Sequence, residues 1–202
     1  MSCKPSEIAV LFARRDSIYK TLPMVDVWDI DRDARGWPGG MPVISHPPCR
    51  GWGSLRKFSH ADAEELALAS FAVEQVRKFG GVLEHPRASK IWSSAHLASR
   101  NEEPDSYGGW ILPIVQNWWG HRAEKETYLY IVGCRPCDIP LIPLSLAYAS
   151  HFVVSCSKRR NGKRLRKGDW GWRPEISKAE REHTPLSLAI WLVELAQKCV
   201  QP

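Results

Sequence analysis

The sequence predicts an α/β protein: a Rossmann-like, mainly parallel sheet with flanking helices, in a single domain over residues 1–202. Three observations predict it. Apolar runs of strand length alternate with segments of helical periodicity, as in βαβ units. Several of those runs stop at proline or glycine, which marks strand ends and turns. The 202 residues, 44% hydrophobic and 25% charged, supply one core, and no linker divides them.

The elements follow in order. Residues 7–13 (EIAVLFA) form a buried strand. Residues 17–22 make a helical turn that ends near Pro23. Residues 25–30 (VDVWDI) form a second strand, with Asp29, Asp31 and Asp33 clustered at its C-terminal end, and GWPGG at 36–40 is a turn. Residues 42–45 (PVIS) form a third strand that runs into HPPC at 46–49. Two successive prolines stop both helix and ladder there, so HPPC is a rigid loop at a strand end. Ser59, with Asp62 three residues on, resembles a capping box and starts a helix. Leu68, Phe71, Ala72, Val76 and Phe79 continue it, and Gly80-Gly81 end it.

Residues 81–84 (GVLE) are a fourth strand, stopped at His85-Pro86. Residues 110–115 and 127–132 (TYLYIV) are further strands, and residues 151–155 another. Ser177 and Glu180 make a second capping box. Thr184 caps the last helix, with Pro185 at its first position and Leu188, Trp191, Leu192 and Leu195 on its apolar face.

Composition narrows the function. No run of 18 apolar residues exists, so no transmembrane helix and no membrane partner are expected. MSCKPSEIAVLFARRDS lacks the apolar core of a secretory signal, which points to the cytoplasm. The six cysteines are too few and scattered for a disulfide framework. Cys134-x-x-Cys137 stands without a second pair, and no metal is expected. Residues 151–202 carry 11 basic and 5 acidic residues, so the first 150 carry 17 of each and are neutral. Lys158, Arg159, Arg160, Lys163, Arg164, Arg166 and Lys167 all fall within ten residues. Such a block attracts a polyanion, and Trp170 and Trp172 just after it suit stacking on bases, so the partner expected is DNA. The plainer reading of the same block is a solvated loop.

In open α/β sheets the ligand site lies outside the carboxyl ends of the strands. Asp29 and Asp31, His46 and Cys49, and Glu84 all fall at such ends. Cys49 follows two prolines and precedes Arg50, a cation that would favour the thiolate, so it is a candidate nucleophile; its plainer reading is a small packed residue. Glu84 is its candidate partner. His46 is close enough in sequence to act as a base.

PVISHPPC resembles the Pro-Cys loop of DNA cytosine-5 methyltransferases. GGVLEHP resembles their Glu-Asn loop, with His85 in place of the asparagine, and WWGHRAEKETYLYIVG is similar to the segment that follows, where an arginine-bearing strand lines the base pocket. The match is closer to short phage-encoded proteins of this type, which carry HPPC, a Glu-x-Pro loop and a segment matched here by Trp119-Gly120-His121, Lys125, Thr127 and Leu129. The resemblance covers about residues 7–133. It implies a DNA cytosine-5 methyltransferase-like enzyme in which Cys49 adds to pyrimidine C6 and Glu84 assists at N3. Arg50, Arg122 and Lys125 would contact base or phosphate. The cofactor implied is S-adenosylmethionine, near Phe12, Asp29 and Asp31, and the target base is flipped or single-stranded. A small basic recognition segment falls at about 134–175. The sequence departs from the family in LFARRDSIYK, which has no glycine before Gly36, and Arg14 and Arg15 suit an anion there. Two other readings stay open: a DNA-binding relative without catalysis, and a pyrimidine-modifying enzyme with a different donor.

Overall fold

The computed structural model describes residues 8–199 apart from 54–55, 57–59, 96, 98–102, 144, 146–147, 155–158 and 161–162. Six strands form one sheet: β1 (Ile8–Ala13), β2 (Val25–Asp29), β3 (Val43–Ser45), β4 (Gly81–Pro86), β5 (Trp110–Val115) and β6 (Glu126–Val132). Their spatial order is β2-β1-β3-β4-β6-β5. β1 pairs in parallel with β2 and β3, and β3 in parallel with β4. β6 is antiparallel to both β4 and β5, so it alone runs against the rest. The expected Rossmann-like, mostly parallel sheet is therefore present, with one reversed strand that alternation of elements does not reveal.

Side-chain alternation along the strands builds two cores. On one face Ile8, Val10, Ile44, Val82, Leu129 and Ile131 pack against α4 (Leu186–Gln197) through Leu188, Trp191, Leu192 and Leu195, the apolar face expected for that helix. On the other face Ala9, Leu11, Val43, Leu83, Tyr130 and Val132 pack against α1 (Ala63–Phe79) through Ala69, Ala72, Val73 and Val76. Of the two short helices, α2 (Ile91–Ser94) adds Ile91 to the second core, and α3 (Lys178–Glu182) lies outside both. Among the described residues no helix is long and apolar enough to cross a membrane.

Three expectations are corrected. The N-cap of α1 is Asp62, whose carboxylate accepts from the Glu65 N–H at 2.8 Å; Ser59 lies outside the described residues. Pro185 keeps an extended ψ of 143°, so it occupies the N-cap position and the helix begins one residue later. Residues 151–154 make no strand: His151 and Phe152 form single bridges to Ala123 and Glu175, and Pro174 beside the second has no N–H to extend it; Ser155 lies outside the described residues. The Ser177 cap is as expected, accepting from the Glu180 N–H at 3.1 Å.

The turn from α1 into β4 needs glycine twice. Gly80 closes the helix at φ 75°. Gly81 enters the strand at φ 122°, and a Cβ there would lie 2.0 Å from the Val43 carbonyl oxygen.

Candidate functional site

The chain leaves β1 toward β2 on one side and toward β3 on the other, so the switch point of the sheet lies between β1 and β3. The carboxyl ends of β1, β3, β4 and β5 and the amino end of β6 meet at this edge. His46 follows β3, and its backbone N–H donates to the Leu11 carbonyl of β1 at 3.1 Å. Glu84 lies on β4 with its side chain only 10% exposed.

These two side chains touch: His46 Nδ1 is 2.8 Å from Glu84 Oε2. The other carboxylate oxygen accepts from Gln116 Nε2 at 3.0 Å, and the same amide nitrogen reaches Thr127 Oγ1 at 3.1 Å. His46 Nε2 is 3.1 Å from the Tyr19 hydroxyl. The result is a hydrogen-bonded chain, Tyr19–His46–Glu84–Gln116–Thr127, drawn from four connections at one sheet edge.

Burial alone would push the Glu84 carboxyl up. Lys125, the hydrogen bond from His46 and the nearby His46 and His85 rings outweigh it and hold the group at about 2. Glu84 is therefore a carboxylate at neutral pH. The Tyr19 hydroxyl is driven well above its ordinary range by burial and by Glu84, so it stays a neutral donor. His85, facing the opposite side of β4, is pushed down to about 4 mainly by burial and stays neutral.

Cys49 is an exposed residue at the end of the HPPC loop. Its thiol is pushed up by desolvation from the strand ends around it and by the charge of Glu84, while Lys125 acts in the opposite direction. Cys49, Glu84 and Lys125 thus share one electrostatic neighbourhood. Lys125 is half-buried, and its ammonium makes no ion pair among the described residues. Arg50, the cation expected to favour the thiolate, is bound by Glu65 of α1 through both carboxylate oxygens.

Other expected residues are engaged elsewhere. Arg122 is held by Glu180 at 2.5 and 2.6 Å and is exposed. Lys158 lies outside the described residues; Arg159–Arg160 and Lys163–Arg164 form a two-stranded antiparallel ribbon, β7 and β8. Arg166, Lys167 and Trp170 are exposed beyond it, and Trp172 is half-buried. Cys134 and Cys137 are both free thiols, the first buried and the second exposed.

At the β1–β2 edge the acids expected to meet S-adenosylmethionine are bound within the chain. Asp29 Oδ2 is bound by Lys20 Nζ at 2.5 Å, and its Oδ1 accepts from the backbone N–H groups of Asp31 and Arg32 at 3.0 and 3.3 Å. Asp31 is paired with Arg15 at 2.7 Å. Both acids that would face ribose hydroxyls are thus occupied by the chain's own donors. Phe12 sits at φ 60°, beside a bulge in the β1–β2 register, and packs edge-on against Phe71 with ring centroids 6.2 Å apart. A phenylalanine in that left-handed conformation costs about 1–3 kcal/mol and fills a place where glycine would let a ligand approach.

Tyr19, Gln116 and Thr127 belong to the site, and sequence reading passed over all three as candidates for it. Their signal was positional: Tyr19 follows β1, Gln116 follows β5, and Thr127 begins β6, all at the ligand-binding edge. No protein-family model matches the chain, and no curated protein matches it.

Proposed function

We propose that the protein is a DNA-directed, base-modifying enzyme that activates pyrimidines as cytosine-5 methyltransferases do. The observation that carries this reading is that Cys49 and Glu84, past β3 and on the parallel neighbour β4, act on each other electrostatically, with Lys125 at the amino end of the reversed β6 favouring the charged form of both. A cytosine placed there offers its amino group to the Glu84 carboxylate. The Cys49 thiol loses its proton to solvent, and ring N3 gains one from solvent, its N–H then donating to the Glu84 carboxylate. The sulfur bonds to C6, the C5–C6 π pair shifts toward C4, and the C4–N3 π pair becomes the lone pair that N3 protonates. The sum is addition of S–H across C6 and N3, which leaves C5 a nucleophilic enamine carbon.

Lys125 favours the charged form of both Cys49 and Glu84. The reading assigns no donor for C5, because Asp29 and Asp31 are committed to Lys20 and Arg15. DNA as the substrate is supported by the basic block at 158–167, part of which is the β7–β8 ribbon. Its register sets Arg159 opposite Arg164 and Arg160 opposite Lys163, and a block of this charge attracts a polyanion.

DNA containing 5-azacytosine tests the reading. Its ring nitrogen at position 5 takes a proton once C6 is attacked, and the adduct reverts slowly. A covalent complex in the intact mass, absent in Cys49→Ser, is expected. Salt-sensitive DNA binding without an adduct would instead identify a non-catalytic DNA-binding protein on the same sheet.

A further inference from the structure

We propose that His46 is a positioning residue for Glu84 and not the base of the reaction, with Tyr19 closing the far side of its ring. The proposal rests on the base-addition reading above, and it reassigns the one residue of the site whose sequence position suggested proton transfer.

The argument is one of hydrogen-bond inventory. A carboxylate only accepts, so the 2.8 Å contact to Glu84 places a proton on His46 Nδ1. In the neutral ring Nε2 then holds only a lone pair. That lone pair faces the Tyr19 hydroxyl at 3.1 Å, and the hydroxyl is a neutral donor buried to 1% exposure. Both ring nitrogens are thereby used within the protein. The Tyr19 and His46 rings also pack, with centroids 5.4 Å apart and a 40° tilt, which limits the rotation that would free either nitrogen. A histidine so held cannot take a proton from a substrate without giving up a partner.

What it can do is fix the carboxylate. His46 binds one oxygen of Glu84 and Gln116 the other, and Gln116 is itself anchored to Thr127. Each oxygen keeps a further lone pair for the base. Tyr19 stands on the 3₁₀ turn Ile18–Thr21, next to Lys20, which binds Asp29 at the end of β2. The far end of the chain is therefore braced by the turn that follows β1.

Two substitutions separate the roles. Asparagine places an amide nitrogen close to where histidine places Nδ1, so His46→Asn keeps a donor to Glu84 but cannot act as a base. His46→Leu keeps neither property. The readouts are the titration of the Glu84 carboxyl carbon by NMR and the exchange of the cytosine C5 hydrogen with solvent. Around Glu84 the groups that titrate or carry charge are His46, His85, Lys125, Cys49 and Tyr19, and only His46 is altered. The expected result is that His46→Asn, which keeps the hydrogen bond but not the ring's charge, raises the Glu84 titration less than His46→Leu does and keeps exchange within about tenfold. His46→Leu should raise the titration by at least about one pH unit and cut exchange at least about a hundredfold. Equal loss of exchange in both variants, or one titration midpoint shared by all three proteins, would overturn the proposal. Should His46→Leu fail to fold, His46→Asn still decides through exchange kept or lost. A wild type without any exchange would sink the base-addition reading, and the titrations alone would then decide the role of His46.

Discussion

Protonating Glu84 should be among the main acid weaknesses of this fold. The carboxyl titrates at about 2 in the folded chain against an ordinary 4.5, because Lys125 and His46 favour its charged form more than burial opposes it. That gap is worth about 3 kcal/mol, since each pH unit corresponds to about 1.4 kcal/mol. A folded value below the unfolded one means the contribution is complete above about pH 4.5 and disappears as pH falls toward 2. Glu84→Gln removes the titration while keeping the shape of the side chain. The assay is urea denaturation of both proteins at a series of pH values from 6 to 2. With a slope of about 2 kcal/mol per molar, the wild-type midpoint should exceed that of Glu84→Gln by about 1.5 M more at pH 6 than at pH 2. Other acids, such as Asp29 and Asp105, titrate low in both proteins and cancel in the difference. A difference between the two proteins that stays constant with pH would refute the reasoning.

Three further outcomes follow from the same contacts. Glu84 opposes ionisation of Cys49 and Lys125 favours it, so Glu84→Gln should speed alkylation of Cys49 by iodoacetamide several-fold at pH 8, and Lys125→Gln should slow it, as read by peptide mass spectrometry. Changing four of the seven basic residues at 158–167 to Gln should lower the slope of log K against log salt for DNA by about 3–4, and an unchanged slope would remove that segment from the interface. Gly81→Ala should cost about 2–4 kcal/mol in denaturant unfolding, because its Cβ would meet the Val43 backbone carbonyl rather than a side chain that could move.

Much of the fold was legible because its strands are marked by both apolar runs and their stops. A proline pair follows PVIS and glycines open GVLE, so β3 and the start of β4 fall where the sequence puts them, whereas β4 does not stop at His85-Pro86 but runs through both residues against β6. The reversed direction of β6 was not legible, since TYLYIV carries the same apolar signal whichever way it runs. Ser59 and Asp62 both look like caps, and only the Asp62 bond to the Glu65 N–H distinguishes them. At the site, Cys49, His46 and Glu84 could be grouped because all three follow or end short buried strands. Tyr19 and Gln116 follow β1 and β5 at the same edge, but neither side chain announces a chemistry until its partner's position is known. Arg50 and Arg122 read as free cations in the sequence, whereas Glu65 and Glu180 claim them once helices bring those acids alongside.

The central claim is that Cys49 adds to pyrimidine C6, and it is tested most directly by hydrogen exchange at cytosine C5. Addition makes C5 an enamine carbon, which takes a proton from solvent before the sulfur leaves, so the reversible step needs no donor. Cytosine-containing DNA incubated with the protein in deuterated water should gain deuterium at C5, and Cys49→Ser should abolish the gain while leaving DNA binding in place. Exchange that persists in Cys49→Ser, or its absence in a wild type that binds the DNA, would contradict the account.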